Sequence, residues 1–395
     1  MKLLYIIVAI LILLLMITIH EFGHYIAGKI LGFKIDEFSI GFGPKLFSKK
    51  KKNGEVFSIR LLPLGGFCAF AGETEEENIL APEKLKKEEV FSELDSQDEP
   101  LNGDATQITE NAEDERGKKF NDQPPWKRII VLMAGGVFNL LSAVIFAFIF
   151  IVAAGAGSAN IATVYDSPEP TSYVYNIEQG DKIVSIDGKK VDFYHTLSKA
   201  LAGKNEGDIL TVVVLRNGEK VTVTTQIRKY IPVDNDGNPA YSTDEDGNSV
   251  YPIGMGVGLM YDRATLGDAF KYCVPYTAEL SWLILGTFGD LRVGKVPLNQ
   301  VSGPIGTVNQ MANLGMENWA YLLLLLPLIA ANLGIFNLFP IPALDGAKVV
   351  FTIVEWIRGK PINQKVEGMI HFVGLIVLFS LVMILDVVNI IISLV

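Results

Sequence analysis

The chain has 395 residues, 49% of them hydrophobic, with 44 acidic and 34 basic side chains for a net charge of −10. Its positive mean hydropathy is not that of an ordinary soluble protein, and its length allows two or more domains. No basic patch interleaved with aromatics offers a nucleic-acid surface, and two cysteines, Cys68 and Cys273, with no C-x-x-C between them, exclude a disulfide framework.

The N-terminal run L-L-Y-I-I-V-A-I-L-I-L-L-L-M-I, Leu3–Ile17, is uncharged and leads into T-I-H-E-F-G-H-Y-I-A-G. Further uncharged runs occupy Ile129–Tyr165, Asn318–Leu344 and His371–Leu385. Each can supply the roughly 20 apolar residues that a membrane-crossing helix needs. A cleaved signal peptide is the other reading of the first run, but no small-x-small site follows it. Pro327 and Gly334 interrupt the third run, which neighbouring helices can tolerate.

After the first span, Lys45–Ser48 and Glu55–Leu62 flank a Lys-rich turn with Asn53-Gly54, a hairpin signal. The following L-L-P-L-G-G-F-C-A-F can dip into the bilayer against the helices or belong to a small soluble hairpin. Residues 73–122 hold 17 acidic and 6 basic residues, a net of −11, and read as a solvated acidic insertion, disordered or loosely helical.

Beyond the second span, strands are expected at Val174–Ile177, Ile183–Ile186, Ile209–Leu215 and Val221–Gln226, with a short helix at Phe193–Leu201. Q-G-D-K-I-V-S-I-D-G-K-K-V, Gln179–Val191, resembles the central segment of PDZ domains, which add a peptide strand to a sheet edge. The turn-rich D-N-D-G-N-P from Asp234 has Glu245 at the twelfth position of a calcium loop. Pro239 stands where that loop requires glycine, so a hairpin or linker fits better. Residues 264–290 have helical periodicity broken by Asp268, Lys271, Glu279 and Asp290, as in an interfacial helix.

Basic residues near span ends set orientation. Lys49–Lys52, Lys127, Arg128, Arg358, Lys360 and Lys365 fall on one side of four spans, which makes that side cytoplasmic. Both termini and the region around 157–317 then lie outside. The expected fold is a polytopic α-helical membrane protein of about four transmembrane helices. It carries a cytoplasmic, membrane-associated β-hairpin region and an extracytoplasmic α+β PDZ-like domain. Its parts are a first span at 1–32, the β-region at 33–72, the acidic insertion at 73–125 and a second span at 126–157. They continue with the PDZ-like domain at 158–230, a linker and interfacial helix at 231–317, a third span at 318–346, a cytoplasmic loop at 347–366 and a fourth span at 367–395.

His20-Glu21-Phe22-Gly23-His24 matches H-E-x-x-H. On a helix the two imidazoles point the same way and can share a zinc ion, with Glu21 beside them as general base. Ionisable groups at membrane depth are costly and usually have a task. A polar helix end without metal is the bland alternative. Three protein ligands are usual at a catalytic zinc. Asp345, which ends the uncharged N-L-F-P-I-P-A-L-D-G of Asn337–Gly346, returns to the membrane face where the first span ends. Pro340 and Pro342 break its helix. His371, at the start of the fourth span, can also reach that depth, whereas His195 lies in the external module.

H-E-F-G-H in the first span, the PDZ-like module, S-G-P-I-G at Ser302–Gly306 and N-L-F-P-I-P-A-L-D-G together resemble the site-2 protease family of intramembrane zinc metalloproteases. The nearest branch is the bacterial regulator of sigma-E protease type, in the cell membrane. The resemblance implies Zn2+ held by His20, His24 and Asp345, Glu21 as general base, and Asn139, Asn332 and Asn337 near the substrate. It also implies single-span membrane proteins as substrates, such as anti-sigma factors or signal-peptide remnants, with peptide termini possible at the PDZ-like domain. One PDZ-like module is evident where some members have two, and Y-V-Y-N-I-E replaces the usual A-G-L. A membrane-anchored zinc peptidase acting on unfolded chains and a metal-free PDZ scaffold are the alternatives.

Overall fold

The computed structural model describes residues 1–73, 117–154, 156–168, 176–191, 197–233, 238–243, 248–293 and 303–394. Most of the acidic insertion, His195, Asp234 and Glu245 of the calcium-like loop, Val174 and Ser302 lie outside the described residues. Two compact units are present, Met1–Val144 with Thr277–Val395, and Ile145–Tyr276.

The first unit is helical. Helix α1, Lys2–Leu31, is apolar around its circumference, as a lipid-embedded helix should be. It stops at Gly32, whose φ of 76° glycine adopts without the cost a β-carbon brings. Helix α2, Pro125–Ala154, begins at a proline and carries Gly135 and Gly136. Four helices among the described residues are long and apolar enough to cross a membrane: Lys2–Leu31, Pro125–Ala153, Ala320–Leu338 and Gln364–Val388.

Strands β1, Ile35–Lys50, and β2, Val56–Phe70, run well beyond the expected hairpin. Both bend, and the bends multiply the pairing. Glu37–Ile40 pairs with Gly66–Ala69 on one side and with Val56–Ile59 on the other, while Lys45–Lys50 pairs with Val56–Arg60. Two strands thus fold into a sheet of four segments, with Gly66–Phe70 at one margin. The sheet rests on α1 and α2 through a buried cluster of Phe33, Ile35, Phe70, Phe120, Val131 and Leu132. Its turn is fastened to the end of α1. Glu55, almost wholly buried, takes ion pairs from Lys29 and from Lys51 at 2.8 Å. Burial alone would raise the Glu55 carboxyl; hydrogen bonds from Lys29 and Lys51 overcome this and hold it at about 2.

The second unit holds the short helix α3, Leu197–Leu201, and a six-stranded antiparallel sheet. Its strands are β3 (Ala156–Val164), β4 (Lys182–Ile186), β5 (Lys189–Lys190), β6 (Ile209–Arg216), β7 (Glu219–Gln226) and β12 (Val257–Arg263). Their order is β12-β3-β4-β6-β7, with β5 on β4. Separate two-residue pairs join β8 (Arg228–Lys229) to β11 (Ile253–Gly254) and β9 (Ser242–Thr243) to β10 (Ser249–Val250). Asn217-Gly218 closes the β6–β7 hairpin with φ of 51° and 88°, the two positive values that a tight hairpin turn requires. Alternate residues Leu210, Val212 and Val214 face a core with Ile161, Ile183, Ile186 and Val223. Residues 176–177, expected to end a strand, carry none.

Among the described residues, the region read as linker plus one helix contains two helices, α4, Leu266–Arg292, and α5, Pro304–Glu317. The second packs Met311 against Ala9 of α1 and Leu322. Helix α6, Ala320–Leu338, runs unbroken through Pro327 and Gly334, as the tolerance of proline in a span allows. Pro327 is buried. The stretch read as a loop at 347–366 is mostly helix α7, Asp345–Arg358, held to α2 by Arg128 and Glu355 at 3.0 Å. Helix α8, Gln364–Leu394, closes the chain.

Candidate active site

His20 and His24 lie one turn apart on α1, both buried. Asp345 reaches them from 325 residues away. After α6 ends, Pro340 and Pro342 prevent the helix from continuing, and the chain turns through Phe339–Leu344 before α7 begins at Asp345. Ala343 sits in this turn with φ of +84°, a conformation that costs an L-residue about 1–2 kcal/mol. Gly346 is required by crowding, since a β-carbon there would fall on the carbonyl oxygens of Leu338 and Phe339.

Asp345 Oδ2 is 2.9 Å from His20 Nε2 and 3.2 Å from His24 Nε2, and the two Nε2 atoms are 3.2 Å apart. Among the described residues these three form the one group able to offer a metal three donor atoms. Tetrahedral zinc ligands at about 2.0–2.1 Å from the ion stand roughly 3.3 Å from each other, so the spacing fits. The outer nitrogens support the same assignment. His24 Nδ1 donates to the carbonyl of Val131 at 2.8 Å, which leaves the Nε2 lone pair facing inward. His20 Nδ1 meets the Asn139 amide at 3.2 Å, with Asn139 Oδ1 buried and unpartnered among the described residues. A half-turn of that amide presents Oδ1 to Nδ1–H and again frees Nε2. A β-carbon at Gly135 would fall on His24 Nε2 and within 2.8 Å of His20 Nε2, so glycine keeps the donor face open.

Glu21 follows His20 on α1, and its Oε2 accepts the backbone N–H of Cys68 at 3.0 Å. Gly66 lies alongside; a β-carbon there would meet Glu21 Cγ at 3.6 Å. The margin of the four-segment sheet therefore runs past this carboxylate. Asn139 is fully buried behind His20. Asn337 donates to Leu333 O at 3.0 Å within its own helix, and Asn332 is exposed on α6. His371 is not a member of the donor group; its Nδ1 accepts the N–H of Ala343 at 3.1 Å. Sequence reasoning missed Gly135, Val131 and Cys68. The G-G pair in α2 was a visible signal for the first, whereas backbone groups leave no signal in residue identity.

The arrangement of two imidazoles, a carboxylate and an adjacent glutamate at the end of a span is that of a hydrolytic zinc site. The chain is 28% identical to zinc metalloprotease RasP of Geobacillus kaustophilus over 93% of each chain. It is 30% identical to a putative zinc metalloprotease, R01501, of Rhizobium meliloti over 95% of this chain and 92% of that one. It is 27% identical to the regulator of sigma-W protease RasP of Bacillus subtilis, covering 93% and 94%. The profile of peptidase family M50 matches residues 8–381, a stretch that takes in both histidines and the aspartate. This protein therefore belongs to peptidase family M50, the site-2 type of zinc metalloprotease.

Proposed function

We propose that this intramembrane zinc metalloprotease holds its ion with His20, His24 and Asp345 and uses Glu21 as general base. The observation that carries the reading is the approach of three donor atoms to 2.9–3.2 Å from opposite ends of the chain. Bound zinc would polarise the scissile carbonyl and acidify water. Glu21 takes the proton from the attacking water and returns it to the leaving amine. The Cys68 N–H fixes one of its oxygens, leaving the second to exchange the proton. Val131 O and Asn139 orient the imidazoles from behind.

A peptide bond inside a membrane helix must first be unwound, and each amide freed in lipid costs several kcal/mol, roughly. The Gly66–Phe70 margin offers replacement partners beside Glu21, so the opened substrate adds there as a strand. Exposed Asn332 is the asparagine suited to touching substrate backbone. The Bacillus subtilis relative is named a regulator of sigma-W protease. Single-span membrane proteins, anti-sigma factors among them, are accordingly the substrates we assign. The PDZ-like unit screens their ectodomains by size or by their chain ends.

The test uses the full chain in lipid with a labelled one-span substrate. Glu21→Gln keeps its zinc and loses cleavage, whereas Asp345→Asn loses both. Wild-type turnover by Glu21→Gln would remove that residue from the mechanism. Cleavage of a soluble unfolded chain as fast as the spanning substrate would favour a quality-control peptidase.

A further inference from the structure

The turn that presents Asp345 contains a residue in an unfavourable backbone conformation, and one side chain from another helix holds it there. Ala343, with φ of +84°, donates its N–H to His371 Nδ1 of α8 at 3.1 Å. Because Nδ1 accepts, the proton of the neutral ring sits on Nε2, which is buried and meets no hydrogen-bond partner among the described residues. The imidazole is kept for one polar contact. Its ring packs edge-on against Phe351 of α7 at 5.5 Å. One turn further along α8, Gly374 lets Pro342 lie directly on the helix; a β-carbon there would overlap that proline. A single face of α8 thus grips Pro342 and Ala343 on one side and Phe351 of α7 on the other, with Asp345 between Ala343 and Phe351 in sequence.

We propose that His371 is a positioning residue for the metal centre: it fixes the Ala343 turn and thereby the direction in which Asp345 presents its carboxylate to the ion. The proposal rests on the reading of Asp345 as a zinc ligand. His371 is not a member of the donor group. Without the Nδ1 acceptor, Ala343 is free to relax to negative φ, and the peptide that follows rotates Asp345 away from the histidines.

Two polar substitutions separate this role from general packing. Asn places an oxygen where Nδ1 stands, and Gln places one where Nε2 stands. Zinc affinity is measured on the full-length, detergent-solubilised protein by competition with a chromophoric chelator. His371→Gln weakens zinc about 10-fold, the lower end of what lost support of a ligand costs, while His371→Asn stays within about 3-fold of wild type. Ala343→Gly in the His371→Gln background restores retention, because glycine holds positive φ without help. Equal retention by the Asn and Gln variants, whether tight or loose, overturns the proposal. Asp345→Asn is run beside them. Loss of zinc there with wild-type retention in His371→Gln sinks this inference alone, whereas wild-type retention in Asp345→Asn sinks the ligand reading beneath it.

Discussion

At the scale of single residues, the site depends on what is missing as much as on what is present. Gly135 faces both Nε2 atoms, and nothing larger than hydrogen fits between α2 and the imidazoles. Gly136 and Gly334 do the same for the backbones, each lying where a β-carbon would meet the other's carbonyl oxygen at 2.8–2.9 Å. Close approach through small residues is how helices associate in lipid, where apolar surface gives no preference for a partner. Gly135→Ala therefore puts a methyl group into the space for the ion. We expect zinc content after purification to fall to near background while α2 keeps its helicity, since alanine favours a helix over glycine by about 1 kcal/mol. A Gly135→Ala protein with stoichiometric zinc would mean that the ion sits elsewhere.

At the scale of elements, two carboxylates far from the chemistry hold helices and strands in place. Asp386 of α8 is buried, and its oxygens accept the N–H groups of Ile305 and Gly306 at 3.1 and 3.0 Å. These are unsatisfied donors at the first turn of α5, so a side chain from another helix, 81 positions away, supplies the cap. Charge at a helix N-terminus adds to the hydrogen bonds. Asp386→Ala leaves both amides unpartnered at about 1–3 kcal/mol each. Amide exchange at Ile305 and Gly306 should rise well above that in α6, and unchanged protection there would deny Asp386 this role. Glu55 does comparable work for the sheet, and pH reads it. Its folded value of about 2 lies below the ordinary 4.5, so its stabilisation is fully present above about pH 4.5 and is lost as pH falls toward 2. Protection of the turn amides at 51–55 should decline across that window, and Glu55→Gln should abolish the dependence.

At the scale of the whole molecule, composition spoke loudest where lipid is the solvent. Four apolar runs, interrupted by few charges, gave the four long helices, because a helix in hydrocarbon must be apolar all round. H-E-x-x-H and L-D-G stood out for the same reason, as polar atoms that such segments otherwise exclude. Less was legible where pairing is non-local. The bends that turn β1 and β2 into four segments come from Gly41, Gly43 and Gly65 acting with long-range contacts, and a two-strand reading stopped at the Asn53-Gly54 turn. Helix α7 hid behind two prolines and a charged C-terminal turn, which together read as a loop. An orientation is expected from the charges that flank these helices. Lys127 Nζ donates to Leu31 O at 3.0 Å, and Arg128 binds Glu355, so the end of α1, the start of α2 and the end of α7 gather at one pole of the first unit. Lysines 49–52 and Lys29 add to these basic residues, and a cytoplasmic position for them is the expectation the positive-inside rule makes. On that expectation the β6–β7 turn, one span later in the chain, is reached from outside. Single cysteines at Asn53 and Asn217, in a background without Cys68 and Cys273, should react with a membrane-impermeant maleimide in opposite ways. Intact cells label the Asn217→Cys protein and spare Asn53→Cys, and inverted vesicles reverse the pattern. Labelling of both from one side would mean that α2 does not cross, which would overturn the four-span arrangement.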